Sequence, residues 1–189
     1  RHGSRRHYNY TASVYREKSC AITEALAAHY RDHPVVIGWQ IDNELNCHLD
    51  TSFAESDHQA FRAWCQERYT TLDALNAAWG TAFWSQTYTA WEHVWLPRPT
   101  VTYQNPSLLL DFYRFTSDMT IRFGAMQYAI IKRIAPHQFV THNAFQDMTN
   151  VDLPEFVKEA VDFVSYDSYP EFRVCDLSLP RQFRDRFES

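Results

Sequence analysis

Residues 35–44 read VVIGWQIDNE, and this stretch decides the fold class. Its first seven residues form an almost continuous apolar run, which is typical of a parallel β-strand buried on both faces. The run ends in the polar triplet Asp42-Asn43-Glu44. In α/β barrels, the residues that build an active site stand at the carboxyl ends of the strands. The stretch therefore predicts a buried strand that delivers functional side chains.

A helix is expected before this strand, over about residues 13–32. Ser13 could cap its first turn, and the helix should end before Pro34, since the residue preceding a proline disfavours the helical region. Four residues at helical spacing predict the face of this helix that packs inward: Ile22, Ala25, Leu26 and His29.

The rest of the chain continues the alternation of helix and strand. Further helices are predicted over about 55–69, 72–80, 106–135 and 154–160, and further strands over about 138–143 and 163–167. Residues 81–105 have no clean period and are predicted to form a loop. The order indicates parallel βαβ units, hence an α/β fold that forms part of a (β/α)₈ TIM barrel. With 189 residues and no initiator methionine, the chain is interpreted as an incomplete catalytic barrel domain over 1–189, cut from a longer protein, because a complete barrel takes about 250 residues.

The composition argues against several classes of function. The net charge is −5 with acids and bases interspersed, which disfavours binding to nucleic acid or to an anionic membrane. No apolar run approaches the length of a membrane span and no signal peptide is recognisable, so we predict a cytoplasmic protein. We expect no cofactor and no metal, because the four cysteines are scattered without a CxxC pair. They are Cys20, Cys47, Cys65 and Cys175.

Polar side chains follow each of the three predicted strands. The first strand ends in Asn43 and Glu44, the second in His142 and Asn143, and the third leads to Asp167 and Tyr169. Any one of these residues is as well explained by an ordinary loop cap. Because three parallel strand ends should meet at one edge of the sheet, their agreement favours a functional site there.

Glu44 is the strongest catalytic candidate in the chain. In a retaining glycosidase one carboxyl group protonates the departing glycosidic oxygen and later deprotonates a water, while a second carboxylate attacks the anomeric carbon. Asn43, directly before Glu44, could hydrogen-bond the 2-hydroxyl of the sugar. The alternative is that Asn43 is a loop cap and that Glu44 is merely solvated.

Several separated motifs resemble the β-galactosidases of glycoside hydrolase family 42. They occur in the family's order over nearly the whole chain, at residues 3–8 (GSRRHY), 30–44 (YRDHPVVIGWQIDNE), 75–85 (LNAAWGTAFWS), 141–143 (THN) and 164–170 (VSYDSYP). The resemblance implies that the chain contains about strands 4 to 6 of the barrel with their helices.

The resemblance also implies roles for individual residues. Glu44 matches the family's general acid/base, Asn43 its contact to the 2-hydroxyl, Arg5 an arginine of the galactose subsite, and Tyr169 a tyrosine close to the nucleophile. The implied activity is retaining hydrolysis of terminal β-D-galactosides in oligosaccharides. The implied assembly of the full-length protein is a homotrimer.

Two features depart from the family's pattern. The family's nucleophile is a glutamate at the end of strand 7, downstream of this chain, so the segment alone is expected to be inactive. Many members also carry a cysteine cluster for zinc after the acid/base region, where this chain has Cys47 alone. Two alternatives stay open from the sequence. One is a non-catalytic carbohydrate-binding barrel, and the other is a barrel glycosidase with a different sugar specificity.

Overall fold

The computed structural model describes residues 9–47, 52–144 and 150–167. In this part of the chain, five α-helices alternate with three β-strands. In chain order they are α1 (Ser13–Tyr30), β1 (Gly38–Gln40), α2 (Glu55–Tyr69), α3 (Leu72–Trp79), α4 (Pro106–Ile134), β2 (Phe139–Ala144), α5 (Leu153–Ala160) and β3 (Phe163–Tyr166). Two short 3₁₀ turns, Phe83–Ser85 and Trp91–His93, lie in the segment predicted to be a loop.

The three strands form one parallel sheet in the order β1-β2-β3. Gln40 pairs with Thr141, and Asn143 pairs with Ser165, so the carboxyl ends of all three strands lie at the same edge. Helix α5 connects β2 to β3, and helices α2 to α4 connect β1 to β2. This is the arrangement expected of successive strands in a (β/α)₈ barrel.

Strand β1 is shorter than predicted. Only residues 38–40 pair with β2, because the chain before them turns with a hydrogen bond from the Val36 amide to the carbonyl of His33. Val35 and Ile37 are 75% and 70% exposed, so the expectation of burial on both faces is wrong for them in the described structure. No described strand pairs with the other edge of β1. Gly38 is required in β1, since a β-carbon there would lie 2.4 Å from the ring of Phe139.

Helix α1 corrects two details of the sequence interpretation. Ser13 is its first helical residue and not its cap; the side chain of Asn9 instead accepts a hydrogen bond from the amide of Ala12. Ile22 and Leu26 are exposed, whereas Ala27 is fully buried. The predicted inward face is therefore wrong, because all four of its residues are exposed and α1 packs into the core through a different face that contains Ala27.

The core consists of two clusters. The first lies around β2 and includes Val140, Ile41, Phe123 and Phe156. The second joins α2, α3 and the first half of α4 through seven large side chains: Phe61, Trp64, Leu75, Trp79, Leu108, Phe112 and Phe115. None of the described helices is long and apolar enough to span a bilayer.

Buried Asp111 anchors the second cluster. Its carboxylate accepts hydrogen bonds from the indole of Trp79 (2.9 Å) and the hydroxyl of Tyr69, and it pairs with Arg114 (3.0 Å). Burial raises the pKa of Tyr69, and the neighbouring carboxylate of Asp111 raises it further. A buried charge of this kind is tolerated because it is paired and hydrogen-bonded.

Gln138 connects α1 to the start of the sheet and is 1% exposed. Its Nε2 donates to the carbonyls of Tyr30 (3.1 Å) and Val36 (2.9 Å), while its Oε1 accepts from the indole of Trp39 at 2.6 Å. One amide thus satisfies backbone and side-chain groups that are remote in sequence.

We expect Gln138→Leu to lower the free energy of unfolding by about 2–4 kcal/mol, since it leaves buried polar partners unsatisfied. The matched control is Gln127→Leu in α4, because Gln127 is also buried but its Nε2 makes no hydrogen bond within the described chain. That variant should lose less than about 1 kcal/mol. Urea denaturation followed by tryptophan fluorescence compares the two, and equal losses would show that Gln138 contributes only volume.

Candidate active site

The site is built on the loop that follows β1. Within it, Asp42, Glu44 and Asn46 adopt left-handed backbone conformations, with φ of 52°, 46° and 66°. Such conformations cost a non-glycine residue roughly 1–3 kcal/mol each and persist only where the surroundings hold them. The loop must therefore be stabilised by contacts from other elements.

Asn143, near the end of β2, supplies the central contact. Its Oδ1 accepts from the Glu44 amide and from Nε2 of Gln40, both at 3.1 Å. Its Nδ2 donates to Oδ1 of Asn43 at 3.1 Å and to Oδ2 of Asp167 at 2.7 Å. Because a backbone amide can only donate, these partners fix which end of the Asn143 side chain is oxygen.

The three strand ends consequently meet at one point. Gln40, Asn43 and Glu44 come from the end of β1, Asn143 from β2 and Asp167 from just after β3. The sequence predicted this convergence for Glu44 and Asn143, and the geometry confirms it.

Glu44 and Asn43 differ in their exposure to solvent. Glu44 is 8% exposed, which argues against the alternative of a solvated carboxylate, whereas Asn43 is exposed at the surface of the site. With its Oδ1 bound to Asn143, the amide of Asn43 is anchored through its oxygen end. The NH₂ end of this amide has the chemistry of a donor to a hydroxyl oxygen.

Two further side chains hold the loop: Tyr10, which the sequence did not point to, and His142, which the sequence placed at the end of the second strand. The Tyr10 hydroxyl accepts from the Asn46 amide at 3.3 Å, and Nε2 of His142 accepts from the Leu45 amide at 3.0 Å. Tyr10 lies ahead of α1 and carries no local signal of such a role. His142 stands directly before Asn143, and its position at a strand end was the available signal.

The remaining predicted site residues, Arg5 and Tyr169, lie outside the described residues. Among the described residues, no group of three or more histidine, cysteine or acidic side chains lies together in a way that could hold a metal ion. Cys47, in the loop itself, is buried and forms no disulfide within the described residues.

Comparison with known proteins identifies the family. The family model described as beta-galactosidase, that of glycoside hydrolase family 42, matches residues 1–185. The chain belongs to glycoside hydrolase family 42. The resemblance found in the separated sequence motifs is thereby confirmed.

Similar proteins extend the match to sequence and structure. The family-42 chain is 46% identical over 189 residues to a beta-galactosidase of Thermus thermophilus, covering 99% of this chain and 29% of that protein. The crystal structure of the beta-galactosidase from Marinomonas ef1 superposes with a TM-score of 0.85 at 40% identity, covering 90% of this chain and 26% of that one. The beta-galactosidase of Halorubrum lacusprofundi superposes with a TM-score of 0.86 at 37% identity, covering 97% and 28%. The described strands and helices are thus part of a (β/α)₈ barrel, and the chain spans less than a third of the length of these relatives.

We expect Asn143→Asp to loosen the loop after β1. The new carboxylate could still accept from the Glu44 amide. Its second oxygen, however, would replace the NH₂ group that donates to Asn43 and Asp167, and would face their oxygen atoms as a further acceptor. Amide hydrogen exchange at Glu44 and Leu45 should accelerate about tenfold or more, which corresponds to the loss of one hydrogen bond.

The control is Asn76→Asp in α3. Asn76 is also a multiply bonded amide, since it donates to the Tyr88 carbonyl and accepts from Thr81 and the Tyr88 amide, but it lies in the second cluster. The Asn76→Asp variant should leave amide hydrogen exchange in residues 41–47 unchanged. Unchanged exchange in both variants would show that the side chain of Asn143 does not hold the loop.

Proposed function

We propose that this chain supplies the acid/base half of the active site of a retaining β-galactosidase, which hydrolyses terminal β-D-galactosides. The observation that carries the proposal is that Glu44 is buried next to Asn43, with its main chain bound to Asn143 at the point where three parallel strand ends converge. Because the chain belongs to family 42, the reaction that we propose for Glu44 is the hydrolysis of a β-galactoside.

Glu44 is proposed as the general acid/base. In the first step its carboxyl gives a proton to the glycosidic oxygen while a second carboxylate attacks the anomeric carbon, so the leaving alcohol departs neutral. In the second step the Glu44 carboxylate takes a proton from water as the water attacks the glycosyl-enzyme bond. The attacking carboxylate is proposed to lie in the part of the family's length that this chain does not span.

Asn43 is proposed to bind the 2-hydroxyl of the sugar. Contacts to this hydroxyl strengthen in the oxocarbenium-like transition state, so a fixed donor contributes to rate as well as to affinity. The hydrogen bond from Asn143 to Oδ1 of Asn43 supports the role because it restrains the rotation of that amide. Arg5 and Tyr169 are proposed, from the family motifs, to bind galactose and to lie near the nucleophile.

The partners of the whole protein follow as further proposals. A carbohydrate substrate is supported by the family, and binding of nucleic acid is disfavoured by the net charge of −5. The family resemblance leads us to propose a homotrimer, and a cytoplasmic location stays a prediction of the sequence. The preference for galactose over other sugars is to be tested with a panel of nitrophenyl glycosides.

In the full-length protein that carries this chain, Glu44→Ala should slow turnover of natural galactosides by about 10²–10⁴-fold, because general acid/base assistance is lost. Substrates with very good leaving groups need no proton in the first step, so their kcat/KM, which reports that step, should fall much less. Azide, which needs no deprotonation to attack, should restore the second step and release β-galactosyl azide.

The control is Glu92→Ala, which removes an exposed glutamate from the 3₁₀ turn Trp91–His93. It should leave the kinetics unchanged. A Glu44→Ala protein with nearly normal turnover and no azide product would contradict the assignment. Sugar binding without hydrolysis by the unaltered protein would instead indicate a carbohydrate-binding barrel.

A further inference from the structure

His142 contacts both ends of the loop that carries Glu44. The side chain is fully buried on β2. Its Nδ1 lies 2.8 Å from the carbonyl oxygen of Ile41, and its Nε2 lies 3.0 Å from the amide nitrogen of Leu45. The two hydrogen bonds therefore lie on either side of the triplet Asp42-Asn43-Glu44. The function proposed above assigns no role to His142 that accounts for them.

The two partners determine the chemical state of the ring. The Leu45 amide can only donate, so Nε2 must accept and cannot carry a proton. The Ile41 carbonyl can only accept, so Nδ1 must carry the proton. His142 is thus a neutral imidazole in the Nδ1–H tautomer, as assigned by its hydrogen-bond partners.

Packing holds the ring in this orientation. The ring of Phe156, itself fully buried on α5, lies edge-to-face against it with the centroids 5.5 Å apart. The bond to Leu45 spans 97 residues of sequence, so it ties the loop to the sheet and not to a local turn. His142 therefore couples the position of the loop to both β2 and α5.

We infer that His142 is a positioning residue for the proposed acid/base chemistry. Its neutral ring clamps the loop at Ile41 and Leu45, which fixes the main chain of Glu44 despite its left-handed conformation. It touches no reacting atom itself. The inference rests on the proposed function, because the consequence of the clamp is the placement of the acid/base carboxyl.

The clamp predicts a selective kinetic defect. Proton transfer requires the carboxyl to lie within hydrogen-bond reach of the glycosidic oxygen, so a small displacement of Glu44 should impair catalysis more than binding. Substrates with poor leaving groups should suffer most, since they depend on the proton. Substrates with leaving groups such as dinitrophenolate should be affected least.

The test compares His142→Leu with His142→Gln in the full-length protein that carries this chain. For galactosides with poor leaving groups, His142→Leu should lower kcat by about 10–100-fold with little change in KM. For dinitrophenyl galactosides kcat/KM, which reports the first step alone, should fall less than about threefold. The Gln side chain keeps an oxygen that can accept from the Leu45 amide, so His142→Gln should recover part of the loss. Equal losses for both classes of leaving group would overturn the inference, since that result indicates general damage to the fold.

The control is His137→Leu, an exposed imidazole just before β2 whose ring contacts the carbonyl of Arg31. It should leave the leaving-group dependence of the rate unaltered. A His137→Leu protein with the same selective defect as His142→Leu would contradict a specific role for His142.

A second readout does not depend on activity. In protein labelled with ¹⁵N-histidine, the His142 signals, identified by their loss in His142→Gln, should show a protonated Nδ1 and an unprotonated, hydrogen-bonded Nε2. A protonated Nε2 at neutral pH would overturn the inference whatever the kinetics. If the unaltered protein hydrolyses no galactoside, the proposed function fails, and the labelled spectra still decide whether the ring clamps the loop.

Discussion

The side-chain amide of Asn143 is the contact on which the arrangement of the site depends. It is 4% exposed and makes four hydrogen bonds, two through its oxygen and two through its nitrogen, to groups from β1, from the loop after it and from the end of β3. Aspartate has the same shape but no donors. An amide at this point is therefore a physical requirement, because only it can serve both the Glu44 amide and the carboxylate of Asp167.

The loop after β1 shows why so many side chains converge there. Its three left-handed residues, at alternate positions, leave backbone groups without the partners that a strand or helix would give them, and a buried amide without a partner is costly. Asn143, His142 and Tyr10 each accept from one amide of residues 44–46. The unfavourable backbone of the loop is thus offset by contacts from β2 and from the segment before α1, and Glu44 is held in a defined place.

Local patterns predicted the elements well, but they could not predict the contacts between them. Apolar periodicity and the positions of Pro34 and Pro106 predicted the three strands and five helices that the structure describes, and helix α4 ends within a residue of its predicted limit. The Ser13 cap was wrong because Asn9, outside the helix, provides the hydrogen bond to Ala12. Convergence of Glu44 with Asn143 followed from parallel strand order. The hydrogen-bond network did not, since its partners are about 100 residues apart in sequence.

The central claim is that Glu44 delivers a proton to the glycosidic oxygen at this meeting of strand ends. A crystal structure of the full-length Glu44→Gln protein with an uncleaved β-galactoside bound tests it most directly. The account predicts that the side-chain amide at position 44 lies about 3 Å from the glycosidic oxygen, with Asn43 bound to the 2-hydroxyl and Asn143 still bound to Asn43. A galactoside bound with its glycosidic oxygen away from position 44, or seated outside the edge formed by the three strand ends, would contradict it.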